Sequence, residues 1–496
     1  MASMQFENTS PTLREILPST NADIDGIAIS GVQLDSRKVE PGDLFLALSG
    51  DVHDGRQFIE QAVANGAVAV AAEPPVAGYI DTVSVPVVEV PELAHEAGLI
   101  AARFFADPSA GLRVVGVTGT NGKTTTSALM AQLLRSVGKT CGVIGTLGAS
   151  LDGAVSAASN TTPDPVALQS QLALWRDMGV DSVGMEVSSH ALVQGRVSGV
   201  QFRTAIFTNL SRDHLDYHGT MAAYGRAKLQ LFTVEGLRNA VINLDEDFAA
   251  QILAVIEPDV RTVTYSVRSD RTADIQFSDI CFHSDGVTAM LDTPWGCRSF
   301  SSPLRGEFNL SNLAAAIAAL LVDGQDLDAL LEAARNVKSV PGRLQSVENR
   351  CGLQVIIDYA HTPDALEQVL LALRPHVEGS LITVFGCGGD RDRGKRSVMG
   401  RLACQLSDRV VVTSDNPRGE QPLDILREIE TGCTGDFLLL ADRAEAIGQA
   451  VANAREGDCV LIAGKGHENY QIFEDQRHYF SDEQQARQAL ERRSGQ

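Results

Sequence analysis

Apolar and polar positions along this chain come in blocks. Short β-branched runs recur, each ending in Gly, Asp, Asn, Ser or Thr and each giving way to a helical pattern. Examples are RVVGVTGTNG, VDSVGMEVSSH, TAIFTNLSRD, NAVINLDED, LQVIIDYAHTP, SLITVFGCGGD, RVVVTSDNP and DCVLIAGKGHE. This order predicts an α/β fold on parallel sheets, in which ligands bind in the crevice outside the carboxyl ends of the strands. One observation therefore predicts both the fold class and the place of the chemistry. Two breaks divide the pattern. FADPSAG (Phe105 to Gly111) carries Asp-Pro and Gly, and VKSVPGR (Val337 to Arg343) separates the helical LDALLEAARN from the strands that follow. Domains are expected at residues 1–108, 109–340 and 341–496. Residues 260–305 read differently: VRTVTYSV, ADIQFSDICF and GVTAMLDT predict a small antiparallel patch inside the middle domain. No fixed repeat period is visible, which excludes solenoids and propellers.

Composition fits a globular chain, and charge narrows the partners. At 496 residues the chain is too long for one core, and roughly three domains are expected. Its 63 acidic against 41 basic residues leave a formal charge of −22. That argues against a nucleic-acid partner, which needs a positive footprint. Anionic small ligands stay open, because a local Lys/Arg cluster or a metal reverses the field inside a cleft. The N-terminal MASMQFENTSPTLREILPS lacks a basic region followed by an apolar core, so no signal peptide is read. The longest apolar helical stretch, near LAAAIAALLV, falls short of the ~18 residues a membrane helix needs. Cys141, Cys281, Cys297, Cys351, Cys387, Cys404, Cys433 and Cys459 form no C-x-x-C pair. They are expected to be buried, reduced thiols of a cytoplasmic protein.

The sharpest local signal is GVTGTNGKTTT, Gly116 to Thr126, set between an apolar run and the helical SALMAQLLRSVGK. Glycines let backbone N–H groups turn inward around phosphate oxygens, and the following helix adds its positive end. Lys123 is placed to reach the outer phosphates, and the Thr124 hydroxyl to ligand Mg²⁺. The strict phosphate-loop pattern wants glycine where Val117 stands. Glu186 in MEVSSHAL and His214 in NLSRDHLDYHG fall at or just past strand ends on the same crevice, and are the candidate metal ligands. Asn209, Asp213 and Asp216 are candidates for supporting roles.

Together these motifs resemble the Mur ligase family, ATP-dependent amide-bond synthetases of peptidoglycan precursor assembly. TGTNGKT (Thr118 to Thr124) has that family's form, which accounts for Val117. MEVSSH, TNLSRDHLDYHG, GEFNLSNLAAA (Gly306 to Ala316), PGR (Pro341 to Arg343) and DYAHTPDAL (Asp358 to Leu366) match in order. LDSRKVEPGDLF (Leu34 to Phe45), FGCGGDRDRGKR (Phe385 to Arg396), SDNPR (Ser414 to Arg418) and GKGHE (Gly464 to Glu468) resemble the branch that adds the third amino acid, and DNPR marks members that add meso-diaminopimelate. Diaminopimelate carries a carboxylate that lysine lacks. A planar guanidinium grips such a group with two parallel hydrogen bonds, and Arg418 and Arg391 are the candidates.

The resemblance implies an N-terminal UDP-binding α/β domain, a central P-loop-type parallel-sheet ATPase domain and a C-terminal Rossmann-like α/β domain. It implies ATP and Mg²⁺, with Lys123, Lys228, Glu186 and His214 as the catalytic set. Lys228 in AYGRAKLQLF matches the family's carbamylated lysine, whose CO₂-derived carbamate would hold a second Mg²⁺; the metal set is then Thr124, Glu186, His214 and Lys228. Gly119, Thr120, Asn121, Gly122, Lys123, Thr124 and Thr125 would bind ATP, with Asn309, Arg343 and His361; Asn309 and His361 equally suit helix caps. Leu34, Ser36, Asp51, Val52 and His53 match the uridine side. Asn160, Thr161, Thr162, Ser188, Gln194 and Arg196 match the muramoyl-peptide side. Arg391, Asp415, Asn416, Pro417, Arg418, Gly464 and Glu468 match the amino-acid side. The partners implied are small molecules, and a monomer closing over its ligands is expected, with hinges near residues 106–111 and 337–343. Two other readings compete. A folate-glutamylating relative lacks DNPR, GKGHE and LDSRKVEPGDLF. A non-catalytic nucleotide-binding scaffold would have lost Lys123, Glu186, His214 or Lys228.

Overall fold

An apolar run without polar alternation belongs in a sheet covered on both faces, and the strand Arg113–Thr118 is the clearest case. Val114, Val117 and Thr118 are fully buried, and the strand lies between the parallel Phe202–Phe207 and Ser182–Glu186. The structure, a computed structural model, describes residues 10–18, 24, 26–50, 54–79, 83–156 and 160–494. It divides into two compact units: Met1–Tyr265 with Ala315–Gly324, and Ser266–Ala314 with Gln325–Gln496.

In the first unit the central strands run in the order Arg261–Ser266, Asn239–Asn243, Phe202–Phe207, Arg113–Thr118, Ser182–Glu186 and Cys141–Gly145. All are parallel. The antiparallel Gly148–Leu151 and Ala154–Ser156 complete that side. Parallel pairing brings the carboxyl ends to one edge, so the segments after Thr118, Glu186 and Phe207 become neighbours. Helix Pro165–Asp177 shows how the sequence builds a covering layer. The Asp164 carboxylate caps it by accepting from Ala167 N at 2.9 Å, and Pro165 occupies its first turn. Its Leu168, Leu172 and Trp175 face the core. The Trp175 ring fills the space that a side chain at Gly142 would need. Truncating such a tryptophan costs about 3–5 kcal/mol. The first unit also holds a smaller parallel sheet of Gly31–Gln33, Asp43–Ala47, Ala69–Ala72 and Val87–Glu89.

The second unit holds an antiparallel patch of Ile275–His283, Gly286–Asp292 and Arg298–Ser302. It also holds a sheet in the order Gln345–Ser346, Gln354–Asp358, Cys459–Ala463, Leu381–Phe385, Arg409–Val412 and Phe437–Leu439. That sheet is parallel except for its first strand. Separate cores cover its two faces.

Two expectations need correction. VRTVTYSV is not part of the antiparallel patch: Arg261–Ser266 pairs parallel to Asn239–Asn243, because helix Ala249–Leu253 carries the chain back over the sheet. Nor are all the cysteines buried. Cys141, Cys387 and Cys459 are buried, whereas Cys281 and Cys297 are exposed, Cys281 because its strand runs clear of the core beyond Phe277. All eight are free thiols. Helix Glu307–Val322 contains the LAAAIAALLV stretch, and among the described residues no helix is long and apolar enough to cross a membrane.

Candidate active site

The phosphate loop leaves its strand at Gly119, so Val117 stays in the buried sheet where a longer loop would already have begun. Gly122 caps helix Lys123–Ser136 at φ +86°, a left-handed conformation that glycine takes without strain. The neighbouring TNLS segment holds the loop. Asn209 Oδ1 accepts from Asn121 N at 2.8 Å and Asn209 O from Thr120 N at 3.0 Å. The Thr208 hydroxyl donates to Asn121 O at 2.6 Å, and the Tyr224 hydroxyl donates to Thr120 Oγ1 at 3.2 Å. The amides of Thr120 and Asn121 are thus already committed to protein. The N–H groups of the first helical turn, at Lys123, Thr124 and Thr125, are the ones a helix leaves for a phosphate. The Thr124 side chain is half-buried and Thr125 is buried.

Two lysines converge on one carbonyl. Lys123 Nζ donates to Gly119 O and Thr120 O, both at 2.9 Å, and Lys228 Nζ donates to Gly119 O at 2.9 Å. Lys228 is 1% exposed, and its Nζ lies 4.4 Å from the Tyr224 ring centroid. Burial, and then the positive charge of Lys123, push its ammonium well below the ordinary lysine value. His214 takes a left-handed backbone at φ +52° and packs its ring edge-on to His190, with centroids 4.9 Å apart. His218, in the same cluster, bonds Ser189 Oγ at 2.9 Å. Burial lowers both His190 and His218 from the usual histidine value.

Glu186, 1% exposed at the end of its strand, accepts from Thr146 N at 2.8 Å and from the Thr146 hydroxyl at 3.1 Å. From it a polar chain joins the residues assigned to the muramoyl-peptide side. Thr146 and Thr161 share a hydroxyl bond of 3.1 Å, and the Thr162 hydroxyl donates to Glu186 O at 2.8 Å. Ser188 N donates to Thr162 Oγ1 at 3.1 Å, and the Ser188 hydroxyl caps helix Ser189–Val193. Arg196 donates to Thr162 O at 3.1 Å and to the side chain of Gln194. Asn160 is exposed at the edge of this group. On the uridine side, Ser36 is buried and donates to Gln61 Oε1 at 2.8 Å, while Leu34 packs against the core of the small sheet. Asp51, Val52 and His53 lie outside the described residues.

In the second unit Asp358 organises the nucleotide candidates. Its carboxylate accepts from Leu344 N and Ala360 N, both at 2.8 Å, and burial pushes it up from the usual range. Arg343 stacks 5.0 Å from the Tyr359 ring centroid. His361 bonds Tyr359 O through Nδ1 at 2.9 Å. Asn309 donates to Arg305 O at 2.9 Å, yet its Oδ1 is buried without a partner among the described residues. An orphaned acceptor of this kind suits a ligand's N–H.

The amino-acid candidates gather at the ends of Leu381–Phe385, Arg409–Val412 and Cys459–Ala463. Arg418 donates through Nη1 to Gly389 O at 2.9 Å, and among the described residues its Nε and Nη2 edge has no partner. Arg418 and Arg391 flank Gly388, the first 2.9 Å and the second 3.7 Å from where a side chain there would start. Pro417 passes against Gly389. Asn416 donates to Glu468 Oε2 at 3.0 Å. Asp415 is buried beside Gly464.

Several supports were not singled out as site residues from the sequence. Arg396, fully buried, grips Glu420 through both Nη atoms at 2.9 and 2.7 Å and holds that carboxyl down at about 2. Glu420 in turn accepts from Asp390 N at 2.6 Å, tying together the two loops that carry the arginines. The fully buried Arg443 pairs bidentately with Asp482 at 2.7 Å and donates to Ser414 O and Ala463 O. Lys465 was legible only as part of GKGHE. Thr146 stood in no motif.

Comparison with known proteins gives three family matches in order along the chain. The Mur ligase family catalytic domain matches residues 28–105, the Mur ligase middle domain 117–320, and the Mur ligase glutamate ligase domain 342–466. The UDP-N-acetylmuramoyl-L-alanyl-D-glutamate–2,6-diaminopimelate ligase of Pseudomonas aeruginosa is 47% identical over 97% of this chain and 98% of its own length. That of Coxiella burnetii is 46% identical over 96% of this chain and 99% of its own. A solved structure of a ligase of the same name superposes with a TM-score of 0.77 at 38% identity, covering 98% of this chain and 99% of the other.

Proposed function

The chain belongs to the Mur ligase family, and from that premise we propose that it joins meso-diaminopimelate to UDP-N-acetylmuramoyl-L-alanyl-D-glutamate at the expense of ATP. It is an ATP-dependent amide ligase of peptidoglycan precursor synthesis. The observation that carries the reading is the convergence of Lys123 and Lys228 on the Gly119 carbonyl of a helix-capped phosphate loop. That arrangement sets the Lys123 cation at the loop where a triphosphate would lie and brings the Lys228 amine beside it. The D-glutamate γ-carboxylate attacks the γ-phosphate, the γ-phosphorus–oxygen bond to ADP breaks, and an acyl phosphate forms. The diaminopimelate amine then attacks the acyl carbon and phosphate leaves. Positioning and charge neutralisation do most of this work.

The donor set suits magnesium: the Thr124 hydroxyl, the Glu186 carboxylate and the His214 imidazole, with Lys228 once carbamylated. Among the described residues no three His, Cys, Asp or Glu side chains gather as a metal-holding group. Mg²⁺ does not need one, because it keeps waters and binds one or two protein carboxylates together with substrate phosphates. When bound it neutralises charge on the phosphate oxygens. Thr146 holds the Glu186 carboxylate in one orientation. Thr162, Ser188, Gln194 and Arg196 hold the muramoyl-peptide. In the second unit Arg418 and Arg391 take the distal carboxylate of diaminopimelate and Glu468 its ammonium, with Asp415 and Asn416 beside them. The reading includes a monomer working in the cytoplasm on small molecules.

Purified chain is expected to release phosphate from ATP only when both the UDP-dipeptide and the amino acid are present. Release with neither, or with a folate and glutamate instead, would sink the reading.

Lys228 carries a second expectation. Burial and the neighbouring Lys123 charge lower its ammonium value, which raises the share of neutral amine, and only the neutral amine adds CO₂. The addition of CO₂ to the neutral amine yields a carbamate and one proton, so a buried amine becomes a carboxylate. Stripping bicarbonate should depress turnover and restoring it should recover turnover. Carbon-13 NMR with labelled bicarbonate should show a carbamate resonance that is absent from Lys228→Met. Full activity without bicarbonate, with no such resonance, would remove the modification from the account.

A further inference from the structure

Lys465 has no assigned role, although it stands inside GKGHE. Its side chain is 0% exposed, at the end of strand Cys459–Ala463. Burying an ammonium is costly unless it is paired and hydrogen-bonded. Lys465 Nζ donates to Asn416 Oδ1 and to Glu468 Oε2, both at 3.1 Å. It also lies 5.4 Å from the Tyr470 ring centroid. Asn416 closes the triangle by donating from Nδ2 to the same Oε2 at 3.0 Å. The Ile472 N–H adds a donor to Asn416 Oδ1 at 3.1 Å.

The network leaves no freedom in its assignments. Asn416 Oδ1 receives two donors and must be the oxygen, so Nδ2 must face Glu468. Glu468 Oε2 is held by two donors, while among the described residues Oε1 has no partner. The Glu468 side chain is 18% exposed, against none for Lys465, so the carboxylate shows its free edge outward while the cation stays behind it.

We infer that Lys465 is a positioning residue for the amino-acid substrate. It locks Asn416 and Glu468 together so that Glu468 offers one oxygen, Oε1, at a set angle to an incoming ammonium group. This rests on the reading that the pocket takes diaminopimelate. An amino-acid site gains affinity from such preorganisation, because the carboxylate need not be ordered when substrate arrives.

Steady-state kinetics of the full chain test this with Lys465→Met, Glu468→Gln and the double variant. Lys465→Met should raise the KM for diaminopimelate roughly 10- to 100-fold, with the KM values for ATP and the UDP-dipeptide within about threefold of the unchanged chain. The double variant should be no worse than Glu468→Gln alone, because an amide at position 468 needs no cation behind it. An unchanged diaminopimelate KM in Lys465→Met, an equal rise in all three KM values, or additive effects in the double variant would overturn the positioning role. The double variant carries neither the buried cation nor its carboxylate partner, so its comparison with Glu468→Gln decides the matter even where Lys465→Met does not fold. Failure of the unchanged chain to use diaminopimelate would instead overturn the functional reading, before any variant is compared.

Discussion

Lys123→Ala is expected to lower ligation by a factor on the order of 10³ or more, equivalent to about 4 kcal/mol of transition-state stabilisation. The reasoning is electrostatic. Phosphoryl transfer offers the protein little covalent chemistry, so the rate depends on neutralising charge as it moves toward the leaving ADP. Lys123 sits on the first turn of its helix, and its ammonium is satisfied by the loop carbonyls of Gly119 and Thr120 at 2.9 Å. Those neutral acceptors are ones a phosphate oxygen can displace. The substitution removes no core packing, so the unfolding temperature should move little. The measurement is product formation by chromatography, with far-ultraviolet circular dichroism confirming the fold. Ligation by the alanine variant at a rate near that of the unchanged chain would remove the phosphate loop from the mechanism.

The second large effect concerns amino-acid choice. The unchanged chain should favour meso-diaminopimelate over L-lysine by about 10³-fold or more in kcat/KM, because lysine leaves a guanidinium without its carboxylate. Arg418 already spends Nη1 on Gly389 O at 2.9 Å, which fixes the plane of the fork and leaves the Nε and Nη2 edge for two parallel bonds. Arg418→Ala should cost diaminopimelate most of that advantage while altering lysine by only a few-fold. Arg418→Lys should recover part of the loss at most, since a point charge lacks the fork. A ligase assay comparing the two amino acids across the three proteins decides it. Lysine preferred over diaminopimelate by the unchanged chain would reverse the assignment and leave the ligase chemistry standing.

Legibility followed distance along the chain. The shape of the phosphate loop was readable because Gly119, Gly122, Lys123 and Thr124 lie together at one strand end and one helix start. Asp415, Asn416 and Arg418 were readable for the same reason, as were Gly464 and Glu468. The antiparallel patch was only partly readable. Residue pattern marks its segments as strands, as it does the parallel one before them, but does not report pairing direction. Helix Ala249–Leu253 decided that direction for Arg261–Ser266. The cysteines were misjudged where a strand runs past the core, an event without a compositional mark.

By itself, then, the sequence determined the α/β class, the family and the candidate side chains at the strand ends, because those features are local: a few consecutive residues at the end of a strand. Tertiary structure alone decided how those side chains are held and charged. Lys228 meets Gly119 from 109 positions away, Thr146 meets Glu186 from 40, and Arg443 meets Asp482 from 39. Burial and pairing across such separations set the ammonium of Lys228 and the free edge of Glu468. They depend on which surfaces the folded chain removes from water, and no local pattern encodes that.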